Sequence, residues 1–142
     1  MQFMKKRTVR NFTLIEMVVV IVIIALLASI VTPMYFRHVR KAKISTAKAQ
    51  IQMLEQAIFD YRLDISKLPE GGGNLQELLK NVSGNEKWDG PYLKAAVPKD
   101  PWGNDYVYTC PGEHGEFDIV SYGADGQPGG TGDNADIGNW MP

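Results

Sequence analysis

Oxygen-bearing side chains cluster near the end of the sequence, in the glycine-rich stretch SYGADGQPGGTGDNADIGNW. The carboxylates of Asp125, Asp133 and Asp136 are hard ligands of the kind that Ca²⁺ takes, and the glycines allow tight turns around an ion. An EF-hand loop that begins at Asp125 is excluded, because Gln127 and Gly129 would then occupy positions that must supply ligands. On composition alone, a solvated loop held by Asx-turns explains the same residues.

A second candidate is Glu16, a carboxylate at the head of the apolar run 17–31. An ionised side chain costs on the order of 2.5–3.5 kcal/mol at the centre of a bilayer, and less near its edge, so it needs a positive partner. If the chain were cut between Asn11 and Phe12, the new amino group of Phe12 on a neighbouring subunit would supply that partner. Alternatively, Glu16 lies at the membrane surface and reaches water.

Residues for enzyme catalysis are scarce. The two histidines are His38, beside the apolar run, and His114, in a turn-rich segment, so no nucleophile, base and orienting group can be proposed. Cys110 is the single cysteine, which excludes an intrachain disulfide and a Cys-type zinc site. The formal net charge of −1 offers no basic excess for nucleic acid. We therefore expect no enzymatic activity and no nucleic-acid partner.

The N-terminal region joins a basic head to an apolar segment. Residues 12–33 are about long enough to cross a hydrocarbon core, and the basic flank should stay on the cytoplasmic side. A secretory signal peptide has a similar layout, with residues 25–29 as a weak candidate for its cleavage site. Glu16 argues against a signal peptide, and we expect a transmembrane helix.

The stretch FTLIEMVVVIVIIALLASIVTP resembles the N-terminal motif of type IV pilins and pseudopilins. The resemblance implies that residues 1–11 are a basic leader, which prepilin peptidase removes by cutting between Asn11 and Phe12. It also implies methylation of the new N-terminal Phe12. The family usually has glycine just before the cut, where this sequence has Asn11.

The same resemblance implies that residues 12–33 form a transmembrane and filament-core helix. Within it, Thr13, Glu16 and Pro33 are the residues expected to serve assembly. Pro33 lacks an amide hydrogen, so a kink or local melting is expected there. The basic residues that follow, from 37 to 41, are interpreted as a solvated collar, with lipid headgroup contact as the alternative.

Beyond Pro33, apolar residues recur at intervals of three and four, which predicts a helix with one buried face: Ile44, Ala47, Ile51, Leu54, Ile58 and Tyr61. A helix from residue 12 to about 62 would span roughly 75 Å, so about half of it should lie outside a compact domain. The buried face should pack on a sheet; a coiled-coil seam is the alternative.

The second half of the sequence predicts loops and a small antiparallel sheet. Residues 63–100 are rich in turn signals around a short helical stretch at 74–79. Residues 105–110 and 116–122 alternate apolar and polar residues, which predicts two strands joined by PGEHG, with a third short strand beside them. The fold class is therefore α+β. The tryptophans of this half are interpreted as core residues, with a stacking surface as the alternative.

The segments VPKDPWGNDYVY and FDIVSYGADGQPGGTGDNADIGNW are similar to the major pseudopilins of type II secretion. The similarity implies that residues 34–142 form a periplasmic globular domain whose last loop binds Ca²⁺. It implies ligation by Asp125 and Asp136, with Asp133 as a third ligand and a carbonyl near Ser121 as a further one. Asn134 is the alternative to Asp133.

The similarity also implies a function. The protein would be the structural major subunit of a pseudopilus, a periplasmic filament that helps to export folded proteins across the outer membrane. Its partners would be other copies of itself, minor pseudopilins, prepilin peptidase and an inner-membrane assembly platform. It would be a single-pass inner-membrane protein before assembly. A type IV pilus subunit, a minor pseudopilin and a membrane-tethered binding module are the alternatives.

Overall fold

The structure, a computed structural model, describes residues 11–71 and 75–142. The expected leader, apart from Asn11, lies outside the described residues. The elements within these ranges are one long α-helix, two short 3₁₀ helices and three short strands: α1 Leu14–Ile65, a 3₁₀ helix Leu75–Leu78, β1 Val107–Thr109, β2 Asp118–Ser121, a 3₁₀ helix Gly132–Asn134 and β3 Ile137–Gly138. This is the predicted α+β class. The described chain divides into two compact units, with the division after His38.

The N-terminal part of α1 is helical and exposed throughout, and every residue from 11 to 38 is solvent-accessible. The helix continues through Pro33 without a break, so the local melting expected at this residue does not occur. Proline removes a single backbone hydrogen bond, to the carbonyl of Ser29, and the turns on both sides remain helical. The predicted uncovered apolar half of the helix is confirmed.

The second part of α1 buries the predicted apolar stripe. Seven of its side chains are buried: Ala47, Ile51, Leu54, Ala57, Ile58, Tyr61 and Ile65. Ile44, also predicted, is half-buried and packs against the same core. The core is completed by residues of the loops and the sheet, among them Leu78, Tyr108 and Ile119. The stripe therefore packs within its own domain, as predicted.

The sheet is antiparallel, with strand order β1-β2-β3. Strand β1 alternates as predicted, because Tyr108 is buried between exposed Val107 and Thr109. The alternation predicted for the second strand is wrong: all four residues of β2 are buried. β2 is the central strand, and its second face is covered by the C-terminal segment, where Val120 lines a cavity with Pro128 and Trp140.

Aromatic side chains fix the long connection between α1 and the sheet. Trp88 donates its Nε1–H to the carbonyl of Glu77 at 2.8 Å, and Tyr92 donates its hydroxyl to Asp64 at 2.8 Å. The rings of Tyr61, Tyr92 and Trp88 meet edge to face, with centroids 5.6 Å apart in each pair. Trp88 and Trp102 are partly buried and pack against the core, in agreement with the packing role interpreted for them.

Candidate functional site

The start of α1 is held by a reciprocal pair of side chains, Thr13 and Glu16. Thr13 donates both its backbone N–H (3.0 Å) and its hydroxyl (3.2 Å) to Glu16 Oε2. The backbone N–H of Glu16 lies 3.3 Å from Thr13 Oγ1. This is a capping box, in which residues three apart satisfy backbone donors that the first helical turn leaves free. The carboxylate also complements the positive end of the helix dipole.

The capping box gives Glu16 a partner within its own chain. The sequence interpretation considered only a neighbour's amino group or water, although TLIE immediately before an apolar run is the signature of such a cap. Asn11 and Phe12, the residues of the expected cut, are exposed and precede the helix. Thr13 and Glu16 are therefore brought together, whereas Pro33 lies several turns away in α1.

Asp125, Asp133 and Asp136 lie in one closed loop, but their carboxylates have different partners. Asp125 Oδ1 accepts the N–H of Gln127 at 3.1 Å, which makes an Asx-turn. Asp133 Oδ1 accepts Nε–H of Arg40 at 3.1 Å. Asp136 Oδ2 accepts the N–H of Gly129 at 2.9 Å. In residues 11–71 and 75–142, no group of three or more His, Cys, Asp or Glu side chains is arranged to hold a metal ion.

Backbone contacts close this loop. The N–H of Ala124 donates to the carbonyl of Asp133 at 2.8 Å. Two glycines are required here because the backbone approaches itself closely. A Cβ on Gly123 (φ +67°) would lie 2.6 Å from the Asp133 carbonyl oxygen, and one on Gly130 (φ +92°) would lie 2.5 Å from that of Asn134.

A buried network that the sequence interpretation missed anchors the base of the loop. Ser121 donates its hydroxyl to Asp100 Oδ2 at 2.6 Å, and Asp100 Oδ1 accepts the backbone N–H groups of Trp102 and Asn104. Asn104 in turn donates to the carbonyl of Gly123 at 2.7 Å. The hydroxyl hydrogen of Ser121 is therefore used in the hydrogen bond to Asp100. The sequence signal for this network is the aspartate followed by a turn in DPWGN.

Burial and charge in this region keep two tyrosines neutral. Burial raises the pKa of Tyr106, and the nearby charge of Asp100 raises it further. Burial also raises the pKa of Tyr108, whose hydroxyl donates to the carbonyl of Pro69 at 2.9 Å. Neither side chain is a candidate acid or base at neutral pH, and both serve the core.

The remaining polar cluster holds the turn between β1 and β2. Asp118 accepts the N–H of Glu113 (2.9 Å), and its Oδ2 lies 2.8 Å from His114 Nδ1. The His114 ring stacks on Trp140 with centroids 3.8 Å apart. Burial alone would raise the pKa of Asp118, but these hydrogen bonds and the charge of His114 hold it below its usual value. No Ser, Cys or Lys nucleophile lines the adjacent described cavity.

Comparison with known proteins decides the family. Residues 34–140 match the family model described as type II secretion system (T2SS), protein G. The chain belongs to the protein G family of type II secretion. Its members are major pseudopilins, which are structural subunits, so this chain is a pseudopilin and a component of that system.

Relatives match over nearly the whole chain. Type II secretion system core protein G of Pseudomonas aeruginosa is 44% identical, covering 96% of this chain and 99% of the relative. The protein of the same name from Vibrio cholerae is 44% identical over 99% of this chain and 96% of its own length. The crystal structure of the major pseudopilin of enterohaemorrhagic Escherichia coli aligns with a TM-score of 0.60 at 35% identity, covering 74% of this chain and 92% of that one.

Membership of this family indicates a role for the exposed apolar helix. By length and composition, α1 is the one helix in the described part of the chain that can cross a membrane, and its most apolar window is entirely unburied. In a pseudopilin, such a segment indicates a membrane anchor. Thr13 and Glu16 cap the start of this anchor.

The loop residues of this pseudopilin match a hard cation by donor type, although the described side chains are not already gathered around one point. The Asp136 Oδ1 atom is buried and has no hydrogen-bond partner among the residues that the structure describes, which leaves a carboxylate oxygen unsatisfied there. The side chains of the loop that offer ligands are oxygen donors, as Ca²⁺ requires. Asp125 and Asp136 would hold the ion. Asp133 would have to exchange its partner Arg40 for it.

Proposed function

We propose that this pseudopilin is inserted in the inner membrane, is cut between Asn11 and Phe12, and polymerises into the periplasmic pseudopilus. The observation that carries the proposal is the continuous exposed apolar surface of α1 in a member of the protein G family. Large side chains such as Leu14 (83% exposed) and Ile21 (65% exposed) are unsuited to water. They require lipid before assembly and the helices of neighbouring subunits afterwards.

Glu16 would change partner during this transfer. In the single chain its carboxylate is held by the N–H and hydroxyl of Thr13, which lowers the cost of keeping it at the membrane edge. In the filament, the freed amino group of Phe12 on a neighbour would replace part of this cap with an ion pair. That exchange would set the axial register between subunits, because the pair forms only at one stagger.

The partners and topology follow from the same proposal. The basic leader would face the cytoplasm and residues 34–142 would face the periplasm. Prepilin peptidase would process the chain and methylate Phe12, and an inner-membrane platform would extract it. Minor pseudopilins would share the filament. The role is mechanical, with no catalytic step, and growth of the filament would help to move folded proteins through the outer membrane.

Calcium would act as a structural clip in the periplasmic domain. The support is the unpartnered Asp136 oxygen within an acidic loop that backbone contacts already close. An ion that binds only the folded loop stabilises the domain by mass action, by about 2.7 kcal/mol at a concentration of 100 times Kd. It would hold the last loop to the sheet.

The test of the assembly role removes the charge of Glu16 alone. We expect Glu16→Gln to insert in the membrane and fold normally, but to yield few or no filaments, because the neutral amide cannot pair with an ammonium group. Filaments sheared from cells and quantified by immunoblot provide the measurement. Asp60→Asn is the matched control, since it removes one carboxylate from the same helix outside the apolar part. Wild-type filament yield in Glu16→Gln would refute the ion-pair step.

A further inference from the structure

The acidic loop is the segment that contains Asp125, Asp133 and Asp136. Among the residues that the structure describes, Arg40 is the one basic side chain that forms an ion pair with it. Its Nε–H donates to Asp133 Oδ1 at 3.1 Å, and its guanidinium carbon lies 3.8 Å from where a Cβ on Gly132 would be. Arg40 comes from α1 and Asp133 from the 3₁₀ helix Gly132–Asn134. The contact therefore joins the loop to the helix across 93 positions of sequence.

The guanidinium determines which carboxylates the loop can offer to a cation. The Asp133 side chain is turned to Arg40, while Asp125 and Asp136 bond to backbone N–H groups of the loop itself. A bound arginine gives one carboxylate a positive charge and hydrogen-bond donors. A metal ion would supply positive charge to the same oxygens by coordinating them directly. A cation that recruits Asp133 must therefore first separate it from Arg40.

We propose that Arg40 is a built-in competitor of the loop cation: it holds Asp133 while the loop is empty and is released when the cation takes that carboxylate. The inference rests on the calcium role proposed above and adds the regulation of that site. The two side chains of the pair are each 47% exposed, so the pair is weak enough to be displaced. Release would free a cationic side chain on α1 each time the loop binds its ion.

Calcium titration of the full chain in detergent micelles tests the inference. Isothermal titration calorimetry on Arg40→Gln should show affinity for Ca²⁺ about 1.5- to 5-fold higher than the wild type, the range expected when an exposed ion pair no longer competes. Lys41→Gln is the matched control, because this exposed neighbour lies on the same helix and makes no ion pair in the described chain. It corrects for the general loss of one positive charge, and we expect a smaller change.

Two further readouts separate competition from general charge effects. In an Asp133→Asn background, Arg40→Gln should no longer increase affinity, since the carboxylate for which the two cations compete is gone. In nitrogen-edited NMR of the wild type, the Arg40 Nε–H resonance should shift and exchange faster with water when Ca²⁺ is added.

The outcomes distinguish this inference from the calcium role on which it rests. Equal affinities in Arg40→Gln and Lys41→Gln, with an Arg40 resonance that Ca²⁺ leaves unchanged, would overturn the competition and leave the calcium clip standing. Absence of calcium binding in every variant, the wild type included, would overturn both.

Discussion

Buried Asp118 shows how a single carboxylate can fix a turn. It is 7% exposed and is satisfied by the Glu113 N–H, the His114 N–H and the His114 ring. Because the ring is in contact with Trp140, one ionised side chain holds both the turn between β1 and β2 and the C-terminal segment. Removing the charge should loosen both.

The lowered pKa of Asp118 predicts an acid limb in the stability of the domain. A folded-state pKa below the ordinary value of 3.8 means that the contribution is complete above that value and is lost as pH falls through the folded pKa. Asp118→Asn should lower the free energy of unfolding by about 1–3 kcal/mol at pH 7, and by less at pH 3. Urea unfolding at the two pH values measures the difference.

Asp105→Asn is the control for this prediction, because Asp105 is 84% exposed and pairs only with an exposed lysine. It should change stability by well under 1 kcal/mol at either pH. An equal loss for Asp118→Asn at pH 7 and pH 3 would show that the geometry of the side chain, and not its charge, holds the turn.

At the scale of the element, a melting experiment tests the proposed calcium role of the loop that contains Asp125, Asp133 and Asp136. We expect the midpoint of thermal unfolding to rise when Ca²⁺ replaces a chelator, because the proposed ion would bind the folded loop only. Asp136→Asn should abolish most of this rise, since its unpartnered oxygen is a proposed ligand. Exposed Asp105→Asn should keep it. Identical midpoints with Ca²⁺ and with chelator in the wild type would remove calcium from the account.

Periodic elements could be predicted from the sequence, whereas contacts between distant residues could not. The stripe through Ile51, Leu54 and Ile58 follows from helical spacing, and its burial is confirmed. The burial of both faces of β2 does not follow from its sequence. Alternating apolar and polar residues indicate which face is polar, but they do not show whether that polar face is buried. Asp118 is polar yet buried, since the following turn supplies its donors.

In the candidate sites, too, the residues can be predicted from the sequence, but most of their contacts cannot. The loop containing Asp136 and the acid Glu16 stand out by residue type and spacing alone. The partners of these acidic positions depend on folding: Arg40 meets Asp133 from a helix far away in sequence, and no local pattern encodes that contact. The capping box of Glu16 with Thr13 is different, because the local pattern TLIE encodes it directly.

At the scale of the whole molecule, the family and the exposed helix together indicate a subunit whose apolar surface is covered by neighbours. An apolar surface from Leu14 to Phe36 remains uncovered in the single chain. A filament made from one kind of subunit must use two different surfaces on each copy, so that growth continues. The anchored helix would supply both surfaces. One would be the apolar flank of α1, and the other would be the freed amino group of Phe12, which pairs with Glu16 of a neighbour.

The mature N-terminus is the direct test of this account. Mass spectrometry of subunits taken from purified pseudopilus filaments should find a chain that begins at Phe12, with the mass of one added methyl group on its amino nitrogen. Such a chain has the free amine that Glu16 of a neighbour needs. Filament subunits that still begin at Met1, or that are cut within residues 25–30 as a secreted protein would be, would contradict the account.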